Sequence, residues 1–244
     1  GFGDVFVVRY DGSGSCLFAN RAGGSGDDEA SAIARSSTGE YALVGNFRLS
    51  ATFDGHVLSS LGGSDAFLSW LTPQGSFSRV NSFGGVWSDE AMDIVLDPKG
   101  RPVLVGSFRG SLVLGGKNIV SSGDSDVFVA KLDDTNGSVL WAKFGGGSGA
   151  DAIRGVAFDP VNNRICLAGY LSPDANFEQH DLRASSAERS LFVADLGYRD
   201  AGTVFTSIPV RFAKGGSEYA YQFQSGPWSV ETPLVTASGL PSWL

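Results

Sequence analysis

Phe83-Gly84-Gly85-Val86-Trp87-Ser88-Asp89-Glu90-Ala91 decides how the chain is read, because its pattern returns at a fixed spacing. Gly23-Gly24 is followed by Asp28-Glu29-Ala30, and Gly145-Gly146 by Ala150-Asp151-Ala152. Gly23, Gly84 and Gly145 lie 61 positions apart. Self-similarity at such a period points to one small supersecondary unit used repeatedly, so architecture is legible before chemistry.

The flanking residues keep the same beat. Asp4-Val5-Phe6-Val7-Val8-Arg9-Tyr10, Asp65-Ala66-Phe67-Leu68-Ser69-Trp70-Leu71 and Asp126-Val127-Phe128-Val129-Ala130-Lys131-Leu132 are apolar and β-branched runs, and Ser190-Leu191-Phe192-Val193-Ala194-Asp195-Leu196 is a looser fourth. Such runs predict strands. Polar turns follow each of the first three, at Asp11-Gly12-Ser13-Gly14, Thr72-Pro73-Gln74-Gly75 and Asp133-Asp134-Thr135-Asn136-Gly137, and lead into a second strand that ends on the Gly-Gly. A third strand is expected at 31–35, 92–96 and 153–158, a tight turn after it, and a fourth strand at 41–45, 103–106 and 165–169. Between these units lie connections of about two dozen residues, with room for an extra outer hairpin.

A four-stranded antiparallel sheet has two faces to bury and open edges to protect, and stacking copies around an axis meets both needs. The expected fold is therefore all-β: a β-propeller of four-stranded antiparallel blades over residues 1–202, about three and a half blades in a partial or truncated ring. The strand after the acidic step is expected innermost, where Ala30, Ala91 and Ala152 would suit a crowded axis. Separate β-sandwiches are the alternative, but 61 residues is short against the roughly 100 that a sandwich uses. One methionine, Met92, and a start inside a strand-like run make the chain read as a processed piece or excised fragment.

Composition narrows the function. With 18 Lys and Arg against 26 Asp and Glu, the formal charge of −8 opposes unspecific attraction to nucleic acid or anionic lipid. No apolar run is long enough for a membrane span. Cys16 and Cys166 do not make a disulfide framework in a chain this long, and both fall in slots that other copies fill with Phe77 and Val103, so they are expected as small buried hydrophobes.

The acidic step, with Asp27, Asp28, Glu29, Asp89, Glu90 and Asp151, is the recurring candidate for chemistry. Calcium takes six to eight oxygen ligands, which carboxylates and nearby carbonyls could supply. Capping of turns by backbone N–H groups is the competing reading, and it extends to Asp65 and Asp126. The run Gly145-Gly146-Gly147-Ser148-Gly149 lacks the lysine of a phosphate loop and has no helix pattern after it. His56 and His180 align with Lys117 beside a turn, without the partners a zinc site or general base needs. No nucleophile elbow exists. No catalytic residue and no cofactor are assigned. Trp87 is expected to fill space between sheets, with sugar stacking as the alternative.

The run Asp126 to Asp133, Trp141-Ala142-Lys143-Phe144-Gly145-Gly146 and Leu104-Val105-Gly106-Ser107-Phe108 resembles the bacterial β-propeller repeat family called SBBP. The likeness covers residues 3 to about 196, and the chain departs from the pattern at Gly149-Ala150-Asp151, where one acid is missing. The resemblance implies an extracellular or cell-surface protein without defined catalytic residues. From about residue 203 the beat stops. Gly239-Leu240-Pro241-Ser242-Trp243-Leu244 is similar to a signature of putative-Ig or cadherin-like domains of bacterial surface proteins, so 203–244 is expected to begin an incomplete, β-sandwich-like domain. Donation of its strands to the propeller is the alternative.

The expected function is a non-catalytic secreted or surface scaffold that binds a protein or glycan partner through the loops at 47–61 and 108–122. A substrate-binding or catalytic propeller module of a secreted enzyme, and a structural spacer or filament subunit, are the competing readings.

Overall fold

In the computed structural model the described residues are 3–177, 180–181, 190–197, 204–205, 219–222 and 234–237. All regular structure among them is β, in several antiparallel sheets. The expected start of an Ig-like domain at 203–244 lies outside the described residues except at 204–205, 219–222 and 234–237.

The first sheet is the pair β1 (Val5–Tyr10) and β2 (Cys16–Gly24). Next come β3 (Asp28–Arg35), β4 (Tyr41–Phe53), β5 (His56–Leu71) and β6 (Phe77–Phe83), which pair in that order. The order returns in β7 (Asp89–Leu96), β8 (Pro102–Phe108), β11 (Asp126–Leu132) and β12 (Val139–Gly146), with a separate hairpin of β9 (Ser111–Leu114) and β10 (Lys117–Val120) between β8 and β11. It returns once more in β13 (Ala152–Asp159), β14 (Arg164–Leu171), β17 (Ser190–Gly197) and β18 (Val204–Phe205), with β15 (Asn176–Phe177) and β16 (His180–Asp181) as the hairpin. A two-stranded sheet of β19 (Tyr219–Gln222) and β20 (Leu234–Ala237) follows.

The pairing explains why the sequence keeps time. Phe67 lies opposite Gly45, Phe128 opposite Gly106 and Phe192 opposite Gly169, so one slot in each sheet holds a large ring beside a bare backbone. At those glycines a Cβ would run into the carbonyl oxygens of Glu29, Glu90 and Ala152 on the neighbouring strand. The first strand carries a bulge at the same level each time, between Ala30 and Ala32, Ala91 and Asp93, and Ile153 and Gly155. This register corrects one expectation: Ile153, rather than Ala152, stands where Ala30 and Ala91 stand, because the third copy carries one extra residue before it. Asp93 then joins two sheets, accepting the Val156 N–H of β13 at 2.8 Å while β7 packs against both β3 and β13.

Three cores lie between successive sheets. One holds Val5, Val7, Phe47, Phe53, Phe67 and Leu71; a second holds Leu68, Trp70, Phe108, Phe128 and Leu132; a third holds Val127, Val129, Ile165, Phe177 and Phe192. Strand β11 and the second half of β5 (65–71) are buried on both faces, as continuous apolar runs require. The outer hairpins bridge backwards. The tip half of β4 pairs with Gly23 and Gly24 of β2, and β15 pairs with Gly145 and Gly146 of β12. Phe53 at a hairpin tip covers Phe77, ring centroids 5.2 Å apart. Cys16 shares the slot of Phe77 but has no such cover, and it is exposed rather than buried; Cys166 is half-buried, and both thiols are free.

Lys131 is fully buried and pairs with the equally buried Asp97 at 3.1 Å. Asp97 closes the β7–β8 turn, accepting from the backbone N–H groups of Lys99 and Arg101 and from the Arg101 side chain. Removing one partner of a buried pair leaves an uncompensated charge, at about 3–5 kcal/mol. Arg101 still neutralises Asp97, so Lys131→Ala is expected to cost about 3 kcal/mol, the low end of that range. Lys131→Met with Asp97→Asn is expected to recover more than half of the loss in urea unfolding; a Lys131→Ala midpoint equal to wild type would contradict the assignment.

Candidate functional site

The acidic step sits at the joints between sheets, where the Gly-Gly backbone is pressed against the next outer hairpin. A Cβ on Gly24 would strike the Ser50 carbonyl, and one on Gly85 that of Ser111, so no other residue fits without moving backbone. In each copy the first acid folds back over this turn. Asp28 accepts the N–H of Gly24 at 2.8 Å and of Arg48 at 3.3 Å; Asp89 accepts that of Gly85 at 2.7 Å; Asp151 accepts that of Gly147 at 2.8 Å, together with the backbone N–H and the hydroxyl of Ser172. Asp151 therefore fills the place of Asp28 and Asp89, and the acid absent from the third copy is the counterpart of Glu29 and Glu90, replaced by Ala152. Glu29 is exposed and Glu90 half-buried, opposite Asn46 and Ser107 in their sheets.

A second carboxylate belongs to each joint. Asp65 and Asp126 are buried beside Gly84 and Gly146, and Asp4 stands beside Gly23. Asp65 accepts the Leu61 N–H at 3.1 Å and Asp126 the Ser122 N–H at 3.0 Å. Each joint thus holds two aspartates, drawn from the start of the first strand and the start of the third. One oxygen of Asp65, of Asp89 and of Asp126 is buried without a hydrogen-bond partner. Desolvation raises Asp65 to about 6; desolvation and then the charge of Asp65 raise Asp89 to about 7; desolvation and then the charge of Asp151 raise Asp126 to about 6. Sequence reasoning weighed Asp65 and Asp126 as turn caps beside the first acids but left out Asp4 and did not pair the two sets, although Asp4, Asp65 and Asp126 recur at the same 61-residue spacing.

The three first acids are thus each tied to their own joint. Among the described residues no group of three or more His, Cys, Asp or Glu is arranged to hold a metal ion. His56 pairs with Phe53 as Lys117 does with Leu114 and His180 with Phe177, just past the outer hairpin turns. A recess of about 470 Å³ opens beside the first joint, lined by Gly3, Asp27, Asp28, Glu29, Arg48 and Ser88 among others. Its wall is acidic with one arginine, and nothing in it pairs a nucleophile with a base.

The second joint carries a feature the others lack. Trp87 is 55% exposed rather than packed between sheets, and the Arg109 guanidinium lies 5.6 Å from its ring centroid. Counting from the joint aspartates, Gly26 and Gly149 hold the position of Trp87 in the first and third copies. At Gly26 a side chain would collide with Arg48, whereas the Trp87 ring instead covers Gly110, at positive φ. Leu61, Val86 and Val120 nearby in the hairpins and joint loops are also exposed.

No family model matches the chain, so the SBBP likeness rests on the residues that carry it. The chain is similar to the regulatory protein FlaEY of Caulobacter vibrioides, 36% identical over 109 residues. That match takes in 43% of this chain and 11% of the relative's own length.

The joint acids make a signed pH dependence. Asp89 titrates near 7 in the native chain and near 3.8 in an unfolded one, so the native state binds more protons between those values. Its contribution to stability is complete below about pH 4 and lost as pH rises through about 7. Compared with wild type, Asp89→Asn is expected to flatten the urea midpoint between about pH 5 and 8, with its largest relative gain at the alkaline end. A relative gain at the acid end would have the wrong sign.

Proposed function

We propose that the chain is part of a non-catalytic, extracellular or cell-surface β-propeller, each four-stranded unit a blade, that binds a protein or glycan partner. The matching strand order of successive sheets, their face-to-face cores and the contacts of β7 with β3 and β13 support radial stacking with β3, β7 and β13 innermost. The SBBP resemblance supports the setting.

The observation that carries the binding reading is Trp87. The fold does not ask for a side chain there, since glycine serves in two of three joints, yet the second joint displays an indole with a guanidinium over its face. Tryptophan and arginine dominate binding hot spots, and indole faces stack on apolar faces of partners. The name regulatory protein, borne by the Caulobacter relative, is compatible with a binding role, and the short match transfers no activity.

Trp87→Ala and Arg109→Ala are expected to weaken binding to any glycan or protein retained by the wild type in array or pull-down screens. The expected loss for Trp87→Ala is about 2 kcal/mol, roughly 30-fold. Both variants should keep the wild-type thermal midpoint within a few degrees. Retention unchanged in both variants would remove this patch as the site.

A further inference from the structure

Among the described residues the two outermost sheet faces are unmet, and the interior of the molecule shows what fits them. β1 takes the place in the first sheet that β5, β11 and β17 take in the others. Phe67, Phe128 and Phe192 are at most 1% exposed, whereas Phe6, in the same slot, is 75% exposed, with Val8 and Tyr10 beside it. In each interior joint this backward face packs on the forward face of the sheet before it. Phe128, Ala130 and Leu132 share a core with Ala66, Leu68 and Trp70; Phe67 and Leu71 share one with Val5 and Val7; Phe192, Ala194 and Leu196 share one with Val127 and Val129. The forward face of the last sheet begins with Leu191 and Val193, in the slots of Ala66 and Leu68. Leu191 is 58% exposed and Val193 borders on exposed. An unmet forward face and an unmet backward face of one repeating contact are complementary by construction.

The first sheet is also incomplete along its edge. Strands β5, β11 and β17 each pair on one side with the preceding strand of their unit, β4, β8 and β14, but among the described residues β1 pairs only with β2. A matching strand exists in this chain. Pro233-Leu234-Val235-Thr236-Ala237-Ser238 repeats the pattern of Pro102-Val103-Leu104-Val105-Gly106-Ser107, which lies within β8. Its strand β20 is antiparallel to β19, as β8 is to β7. Upstream, Phe212-Ala213-Lys214-Gly215-Gly216-Ser217-Glu218 follows the order Trp141-Ala142-Lys143 and Gly145-Gly146 that precedes an inner pair.

We propose that the chain closes on itself: β20 pairs antiparallel with the free edge of β1, giving a composite sheet β19-β20-β1-β2, and the face bearing Leu191 and Val193 packs on Phe6 and Val8. Strands β19 and β20 are then the inner half of a blade and not part of an Ig-like domain. The inference rests on the propeller reading, and it favours an intramolecular partner because strand and face are both supplied by the same polypeptide. The same faces meeting between two copies would be a heterologous contact that builds open fibres or larger rings.

Disulfide trapping in the full chain, with Cys16→Ser and Cys166→Ala as background, tests it. Ala130 pairs with Leu104 and Val129 with Val105. The equivalent pairs are Val8→Cys with Val235→Cys, and Val7→Cys with Thr236→Cys. The slipped pair Val8→Cys with Thr236→Cys is the control, since a slip of one residue puts side chains on opposite faces. At least one matched pair is expected to form an intrachain disulfide under mild oxidation, read by peptide mass, with at least about tenfold higher yield than the control, because paired strands bring Cα atoms within the range a disulfide spans. Absence of the bond from both matched pairs, or a bond joining two chains, overturns closure. Solution scattering of the unsubstituted chain separates the two readings. A radius of gyration near the value of about 18 Å expected for a compact chain of this length, with no trapped bond, leaves the propeller and removes closure; a clearly extended chain removes both.

Discussion

The structure depends on one close approach, the Gly-Gly backbone of each sheet lying directly against the outer hairpin of the next. Without side chains at Gly24 and Gly85 the carbonyls of Ser50 and Ser111 come where a Cβ would stand. Such an approach strands backbone N–H groups in a place water cannot reach, and a buried unpaired donor costs about as much as a lost hydrogen bond. The aspartate four residues on answers this, folding back onto the N–H of the second glycine in the first two copies and onto that of Gly147 in the third. Glycines and acid are thus one device: the first allows contact, and the second satisfies what contact leaves bare.

The device has a cost that explains the carboxyl chemistry. A second aspartate enters each joint from the neighbouring strand to hold the loop ahead of it, as Asp65 does for Leu61 and Asp126 for Ser122. Two acids in one dry joint repel, and burial penalises their charge. Desolvation and, for Asp89 and Asp126, the charge of the neighbouring acid account for the raised titration at Asp65, Asp89 and Asp126. Perturbed acids often mark active sites, but structural networks perturb them too. Here the backbone partners of each acid account for its position, so the shift is a consequence of how sheets are joined.

Much of the fold was legible because a 61-residue spacing forces equivalent residues into equivalent environments. Phe67 and Phe128, read as matching strand residues, lie opposite matching glycines, and the turn at Asp97-Pro98-Lys99-Gly100 closes β7 onto β8 with Gly100 at positive φ. The candidate site was legible only in half. Asp28, Asp89 and Asp151 stood out beside the glycines, whereas their partners lie about two dozen residues upstream and meet them only through tertiary pairing. Counting also failed by one residue in the third copy, since Gly147 is inserted and hydrogen bonds, not spacing, show that Asp151 matches Asp89. Exposure was not legible at all: Cys16 read as buried because its slot was judged from Phe77 in another copy, and Trp87 because indoles commonly fill space between sheets, while burial depends on what the neighbouring sheet supplies.

Comparison within the chain separates what the backbone requires from what each copy adds. Arg9, Trp70, Lys131 and Asp195 occupy one slot by register, yet each is satisfied differently. Arg9 donates to the Pro73 carbonyl at 3.2 Å, Arg79 lies 4.7 Å from the Trp70 ring centroid, Lys131 pairs with Asp97 and Asp195 with Arg164 at 2.7 Å. A cation, an indole and a carboxylate can share a position only if the surrounding sheet is held by something else, namely the glycines, the joint acids and the paired strands. Positions that vary so freely carry little of the fold's specification, and the same freedom at the joint loops lets Trp87 stand where two other copies keep glycine. Side chains that the repeating frame does not need are where binding specificity can change without loss of the fold, which is why the proposed recognition is assigned to the unrepeated residues and stability to the repeated ones.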